Sequence, residues 1–401
     1  MYVLKRDNFL ATLFFVVIFF IVFDGVRNNL IFSPYLSLIR EISLLLILIL
    51  GFIFRRRIDK KYLSKFIPLI LFSFFILCLW PITIFLNFSD FYFVEQEFGN
   101  KFSIYYKHFI FPFCFLATYA LLKGNDLLQK KIVNIFVVLS SLYGYVTLPL
   151  YFFPLPFFNE VYKDYGRFGV GYPTMDGQVF ILSLFCLIFL AKKKIIMFHF
   201  CLYGILLGML SQNTGTMYVS LLLMIIFGTF LNFKRTLYIV LNLSILLITS
   251  VFIIIQNYYD LYIDMSKVFL SKLYTFIDSN NVAIDTVSMR ESQYELLNSY
   301  IKTDDMYYIF GVGASSYVEN QFLYIKTAFG NLGFLLYLIS LTYIFIITLF
   351  IENKNKLKII FLYIIFSLSS YTLLTIYFFP TVMGFSLLIN ILYLNGKMKP
   401  N

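Results

Sequence analysis

The feature that most constrains this chain is a succession of apolar runs, most of them close to the roughly 20 residues that a helix needs to cross the hydrocarbon core of a bilayer. Short polar breaks separate them. Inside hydrocarbon each backbone N–H and C=O must find a partner within the protein, which leaves helices and closed barrels as the spanning structures. A barrel strand would show segments of about 10 residues with alternating polarity. These runs do not alternate, so the chain is expected to be an all-α polytopic membrane protein. Composition agrees: 60% of the 401 residues are hydrophobic and 13% are charged, too few charges to coat a soluble globule of this length.

Read in order, the runs predict twelve spans, at about 9–26, 33–54, 66–87, 102–122, 132–153, 174–191, 195–211, 214–231, 236–256, 320–350, 358–378 and 380–395. The first follows Lys5 and Arg6 with no small-residue cleavage site after it and is expected to be a retained anchor. The whole chain, 1–401, reads as one integral membrane domain without internal repeats.

The formal charge of +11 could mark a nucleic-acid surface, but its placement says otherwise. Basic clusters fall on alternate gaps: Lys5/Arg6; Arg55 to Lys65; Lys123, Lys130 and Lys131; Lys192 to Lys194; Lys234/Arg235; Lys354, Lys356 and Lys358; Lys397/Lys399. The positive-inside rule puts these loops and both termini in the cytoplasm. The remaining gaps, acidic or neutral, lie outside. One of them, from Asn257 to Glu319 between the ninth and tenth spans, is long enough to carry structure of its own.

Within that loop Leu261, Met265, Val268 and Lys272 alternate with Asp264, Lys267 and Ser271 at helical spacing, predicting an amphipathic helix on the outer membrane surface. Ser288 followed by Glu291 reads as a capping box, with Met289, Leu296, Leu297 and Tyr300 as the apolar stripe behind it. Arg290 would then stand in the first turn of a loop helix. Gly311-Val312-Gly313-Ala314-Ser315-Ser316 breaks the pattern before the chain re-enters the membrane.

Ionisable residues within spans are costly and mark functional positions. Arg40, Glu41, Lys107, His108, Asp176 and Lys326 all lie toward the outer ends of their spans. Snorkelling and intramembrane pairing, for instance of Arg40 with an acid, compete with a binding role for each of them. Outside the cytoplasmic clusters the arginines are Arg27, Arg40, Arg167 and Arg290, and guanidinium holds diphosphate through forked, charge-assisted hydrogen bonds. Arg167 lies in Tyr165-Gly166-Arg167-Phe168-Gly169-Val170-Gly171, where glycines allow close approach to a ligand or simply make a re-entry turn. Glu319, at a membrane boundary, suits a general base and equally a helix N-terminal acid. Tyrosines of the loop, Tyr294 among them, suit sugar stacking or an interfacial belt. Cys78, Cys114, Cys186 and Cys201 sit in apolar runs without paired spacing, and His108 and His199 do the same, so neither a disulfide framework nor a metal site is expected.

Taken in order, these features resemble the O-antigen polymerase and O-antigen ligase superfamily. The matching pieces are the glycine-flanked Arg167, the polar turn Ser211-Gln212-Asn213-Thr214-Gly215 and the large outer loop. In and after that loop follow Arg290 with Tyr294, Gly311-Val312-Gly313, Glu319-Asn320-Gln321-Phe322-Leu323 and Gly330-Asn331-Leu332-Gly333-Phe334. Motifs carry the likeness over residues 160–350; topology alone carries it over the first 150. The resemblance implies a membrane glycosyltransferase without metal or cofactor. Its substrate would be an oligosaccharide linked to undecaprenyl diphosphate, taken at the outer leaflet of the bacterial inner membrane with the active site facing the periplasm. A chain-length regulator protein and membrane lipid are the implied partners, and nucleic acid is not. Glu319, Arg290 and Arg167 would be catalytic; Asn320, Lys326, Arg40, Lys107 and Tyr294 would bind substrate. Ligases commonly carry a histidine where this chain has Glu319, and polymerases often an acid. The competing readings are an O-antigen ligase and a flippase for lipid-linked oligosaccharide, which would need access from both leaflets.

Overall fold

A computed structural model describes residues 2–27, 29–85, 102–153, 155–156, 169–191, 193–212, 214–257, scattered positions between 259 and 270, 286–313 and 318–396. These residues are almost entirely helical, and no β-strand occurs among them. In chain order the helices are α1 (Tyr2–Arg27), α2 (Ser33–Ile53), α3 (Lys60–Leu63), α4 (Ile67–Phe85), α5 (Phe102–Leu122), α6 (Asp126–Phe152) and α7 (Pro173–Phe189). There follow α8 (Ile195–Gln212), α9 (Gly215–Asn257), α10 (Thr286–Ile301), α11 (Asp305–Phe310), α12 (Gln321–Leu349), α13 (Lys356–Ser370) and α14 (Phe379–Asn395). Seven helical stretches among the described residues are long and apolar enough to cross a membrane, and α7 and α14 are shorter apolar helices. The chain is a multi-pass helical membrane protein.

Two compact units divide it, one formed by residues 1–43 and 127–285, the other by 44–126 and 286–401. In the first, α7 is the central element. It packs against α1, α8 and α9 and is buried from Met175 to Ile188. Small residues permit this: Gly144 of α6 rests on the backbone of α8 at Gly204, and Gly208 lies under the ring of Phe180. The second half of α9 presents Leu237, Leu241, Ile245, Ile248 and Phe252 outward, the apolar surface that lipid requires.

In the second unit α14 is the helix enclosed all round, buried from Phe379 to Tyr393 and packed on α5. A polar pin holds it. Asn390 donates to the Phe115 carbonyl at 2.8 Å and to Thr118 Oγ1 at 2.7 Å, and accepts from the Tyr62 hydroxyl. The carboxamide thereby ties α3, α5 and α14 together where hydrocarbon offers no alternative partner.

The two predicted spans 214–231 and 236–256 correspond to α9, which departs from helical geometry at Asn232. Just beyond that kink Arg235 donates to the carbonyls of Ile188 and Ala191 at 3.1 and 3.0 Å, closing the C-terminus of α7. The predicted span 358–378 is shorter as a helix: α13 ends at Ser370 and turns lead to α14. The loop helix α10 begins at Thr286, two residues before Ser288, so Ser288 is inside the helix rather than at its cap and Arg290 is past the first turn. Of the predicted surface helix, Lys267 and its described neighbours Ile263, Ser266 and Leu270 are helical; Leu261, Asp264, Met265, Val268, Ser271 and Lys272 lie outside the described residues.

α12 is broken at Gly330, where φ is 69° and ψ is −177°. A break in a spanning helix removes the partners of the carbonyls one turn earlier, and in lipid those carbonyls must be satisfied from elsewhere. Here Val312 N donates to the Thr327 carbonyl at 2.9 Å and Gly313 N to the Ala328 carbonyl at 3.0 Å. The segment after α11 is thus spliced into the gap, and Asn331 Nδ2 adds a bond of 3.0 Å to the Tyr308 carbonyl. A Cβ on Gly330 would overlap the Ile309 carbonyl, at a φ that L side chains rarely adopt. Gly330→Ala is therefore expected to lower the thermal unfolding midpoint in detergent by the equivalent of about 1–3 kcal/mol from backbone strain alone. Gly215→Ala, where a Cβ meets open space, is the control and should cost nothing. Equal midpoints for the two variants would show that the splice is not needed.

Candidate functional site

In the first unit the charged side chains gather where α1 ends and α2 begins. Asp24 is a lone acid in an apolar run, and Arg40 lies 16 residues later on the next helix. Arg40 Nη1 lies 2.9 Å from both Asp24 oxygens and Nη2 lies 2.6 Å from Glu41 Oε1. Arg27 Nε adds a 2.7 Å bond to Asp24 Oδ1, while its Nη1 donates to Ser33 Oγ at 3.2 Å and to Ser37 Oγ. Two guanidinium groups and two carboxylates balance. Asp24 and Arg40 are both buried, so neither charge has water to fall back on.

Beside this network the segment Gly169-Val170-Gly171 crosses over polar groups at the ends of α7 and α8. Val170 N donates to Thr147 Oγ1 at 3.3 Å, its carbonyl accepts from Asn29 Nδ2 at 2.6 Å, and Tyr172 N reaches the Gly25 carbonyl at 3.2 Å. Gly171 and Gly25 lie directly on the Asp176 carboxylate, and Gly169 lies on the Gln212 carboxamide; a Cβ at any of the three would collide with the polar atoms below. Tyr143 OH donates to Asp176 Oδ2 at 2.5 Å. Among the described residues Asp176 Oδ1, both amide atoms of Gln212 and Thr214 Oγ1 are buried without hydrogen bonds. Each such group costs about 1–3 kcal/mol.

In the second unit the polar groups lie at the start of α12. Asn320 is its N-cap, with Oδ1 accepting from Phe322 N at 3.0 Å and Leu323 N at 3.2 Å. Glu319 precedes the cap and is half-buried. Gln321, fully buried, faces His108 with Nε2 to Nε2 at 3.2 Å and accepts from Ile376 N at 3.0 Å. His108 Nδ1 lies 2.9 Å from the Ile104 carbonyl, so Nδ1 carries the proton and Nε2 accepts from Gln321. Two ammonium groups remain at the edge. Lys326 Nζ donates to the Tyr294 hydroxyl at 2.8 Å, joining α12 to the loop helix α10. Lys107 Nζ lies 3.7 Å from the ring centroid of Tyr377.

Of the residues expected from the sequence, the structure brings Lys326 and Tyr294 into contact and sets Glu319 and Asn320 at the head of the same helix. Asn320, expected to bind substrate, spends its carboxamide oxygen on the cap. Arg40, expected to hold a lipid diphosphate, gives its guanidinium to Asp24 and Glu41. Arg167 lies outside the described residues, as does the side chain of Arg290, whose backbone belongs to α10. Searched against protein-family models and curated proteins, the chain matches none. The site is therefore described by its own residues: the half-buried ammonium groups of Lys326 and Lys107, the Tyr294 hydroxyl and the half-buried Glu319 carboxylate. The sequence reading missed Asp24, whose signal was present as the one acid within the first apolar run, and Tyr143, which carried none.

Removing one partner of a buried ion pair leaves the other uncompensated, at about 3–5 kcal/mol. Asp24→Asn is thus expected to lower the unfolding midpoint sharply. Asp24→Leu combined with Arg40→Met should regain most of the loss. A single variant as stable as the wild type would remove the network from the list of structural supports.

Proposed function

We propose that the chain is a glycosyltransferase of the O-antigen polymerase type, joining oligosaccharide repeat units carried on undecaprenyl diphosphate at the outer leaflet of the bacterial inner membrane. The observation that carries this reading is the grouping at the head of α12: a half-buried carboxylate, a capped helix start, and a lysine bonded to a tyrosine of the loop helix. The twelve-span topology belongs to the same proposal. Dividing α9 at Asn232 and counting α5, α7, α13 and α14 gives twelve crossings, with the 17 residues of α7 reaching about 25 Å. The basic clusters then lie inside with both termini, and residues 257–319 form the periplasmic loop.

In this reaction the acceptor hydroxyl oxygen attacks the anomeric carbon of the donor sugar. The bond from that carbon to the diphosphate breaks, and its electron pair leaves with undecaprenyl diphosphate. The hydroxyl proton passes to Glu319. Lys326, held by Tyr294, and Lys107 supply positive charge for phosphate oxygens, joined by Arg290 from the loop helix. Charge that develops on a leaving diphosphate is stabilised by such fixed cations in a water-poor site.

Topology is checked first. Reporters fused after Lys194 and after Lys358 are expected to read cytoplasm, and one fused at Asn280 to read periplasm; a cytoplasmic signal at Asn280 ends the proposal. Glu319 is then separable from the helix start because the cap is Asn320. Glu319→Gln is expected to accumulate normally and to lose roughly 10²- to 10⁴-fold in polymerisation rate, as removal of a general base does. Asn320→Ala should instead cost about 1 kcal/mol of stability. Wild-type chain lengths in Glu319→Gln would exclude Glu319 as the base.

A further inference from the structure

The orphaned groups of the first unit differ in kind, and the difference selects a ligand. Asp176 Oδ1 is an acceptor when ionised; the Gln212 carboxamide presents both a donor and an acceptor; Thr214 Oγ1 can do either. All three side chains are buried. They lie against one short stretch of chain: Gly169 on Gln212, Gly171 on Asp176, and Gly177 against Thr214. A cation would take only the oxygens and leave the Gln212 NH₂ without an acceptor. An anion would take the Gln212 NH₂ and leave its carbonyl oxygen without a donor. A neutral hydroxyl group both donates and accepts, so hydroxyls satisfy the whole set.

We propose that Asp176, Gln212 and Thr214 form a hydroxyl-binding subsite for a sugar of the repeat unit, in which Gly169 and Gly171 cover Gln212 and Asp176 in this structure and Gly177 of α7 lies against Thr214. The identification of the hydroxyls as those of a glycan rests on the polymerase reading; ordered water offers the same chemistry. The cover meets Gln212 and Asp176 with the backbone of Gly169 and Gly171; opening it lifts the buried Val170 side chain and breaks its backbone bonds to Thr147 and Asn29. Tyr143 keeps Asp176 in place through Oδ2, which leaves Oδ1 for the ligand. Because the Gln212 amide makes no hydrogen bond in the covered state, its removal should not weaken the fold. Buried polar groups that can be removed without loss of stability are kept for binding.

The test uses the full chain in lipid nanodiscs and, as probe, the repeat-unit oligosaccharide of the host freed from its lipid. Saturation-transfer NMR reads binding and thermal unfolding reads stability. Gln212→Met and Thr214→Val are near-isosteric. Each is expected to weaken oligosaccharide binding at least tenfold while the unfolding midpoint stays level or rises. Unchanged binding in both variants overturns the subsite. A lowered midpoint with unchanged binding overturns it too, and assigns the groups to trapped water. Absence of oligosaccharide binding by the wild type overturns the polymerase reading itself along with the subsite. Failure of the variants alone leaves that reading standing.

Discussion

The whole architecture depends on one constraint: within hydrocarbon, a backbone amide or carbonyl has only the protein to bond with. Regular helix meets that demand locally, which is why successive apolar runs become helices. Where the helix stops the demand falls on a neighbour. At Gly330 it is met by the amides of Val312 and Gly313, so the break in α12 and the segment behind α11 are one structural device. At the end of α7 it is met by Arg235. Such breaks fix loop segments to spans, and through the first of them α11 is held to α12. The Lys326–Tyr294 bond ties α10 to the same helix.

Charge obeys a related rule. An ion buried away from water is tolerated when matched, and the first unit matches Arg27 and Arg40 against Asp24 and Glu41. The proposals draw on other groups: Asp176, Gln212 and Thr214 in the first unit, and Glu319, Lys326 and Lys107 in the second. Arg40 is held by Asp24 and Glu41, and Asn320 caps α12.

The helices were legible because hydrophobic run length is a local property and lipid leaves little competition. The predicted span 320–350 carries Gly330-Asn331-Leu332-Gly333 where the structure breaks it, but the partner that repairs the break was not legible, since 311–313 lies on the far side of a loop in sequence. Asp24 and Arg40 meet across a helix hairpin, and Tyr143 meets Asp176 across 33 residues; no spacing rule reports contacts between helices. Ser288 looked like a helix cap, yet α10 starts at Thr286, an instance where a local signal was overruled. At the head of α12 the helix cap is Asn320, one position after Glu319, a difference of one residue that local pattern does not report.

The polymerase proposal rests on the groups at the head of α12 in the second unit. The most direct measurement is the surface polysaccharide of the host after deletion of the gene, displayed as a ladder on a gel. The account predicts that the ladder collapses to a single repeat unit on the lipid core and that the intact gene restores it. A core bearing no repeat unit at all, or an unchanged ladder, would contradict it.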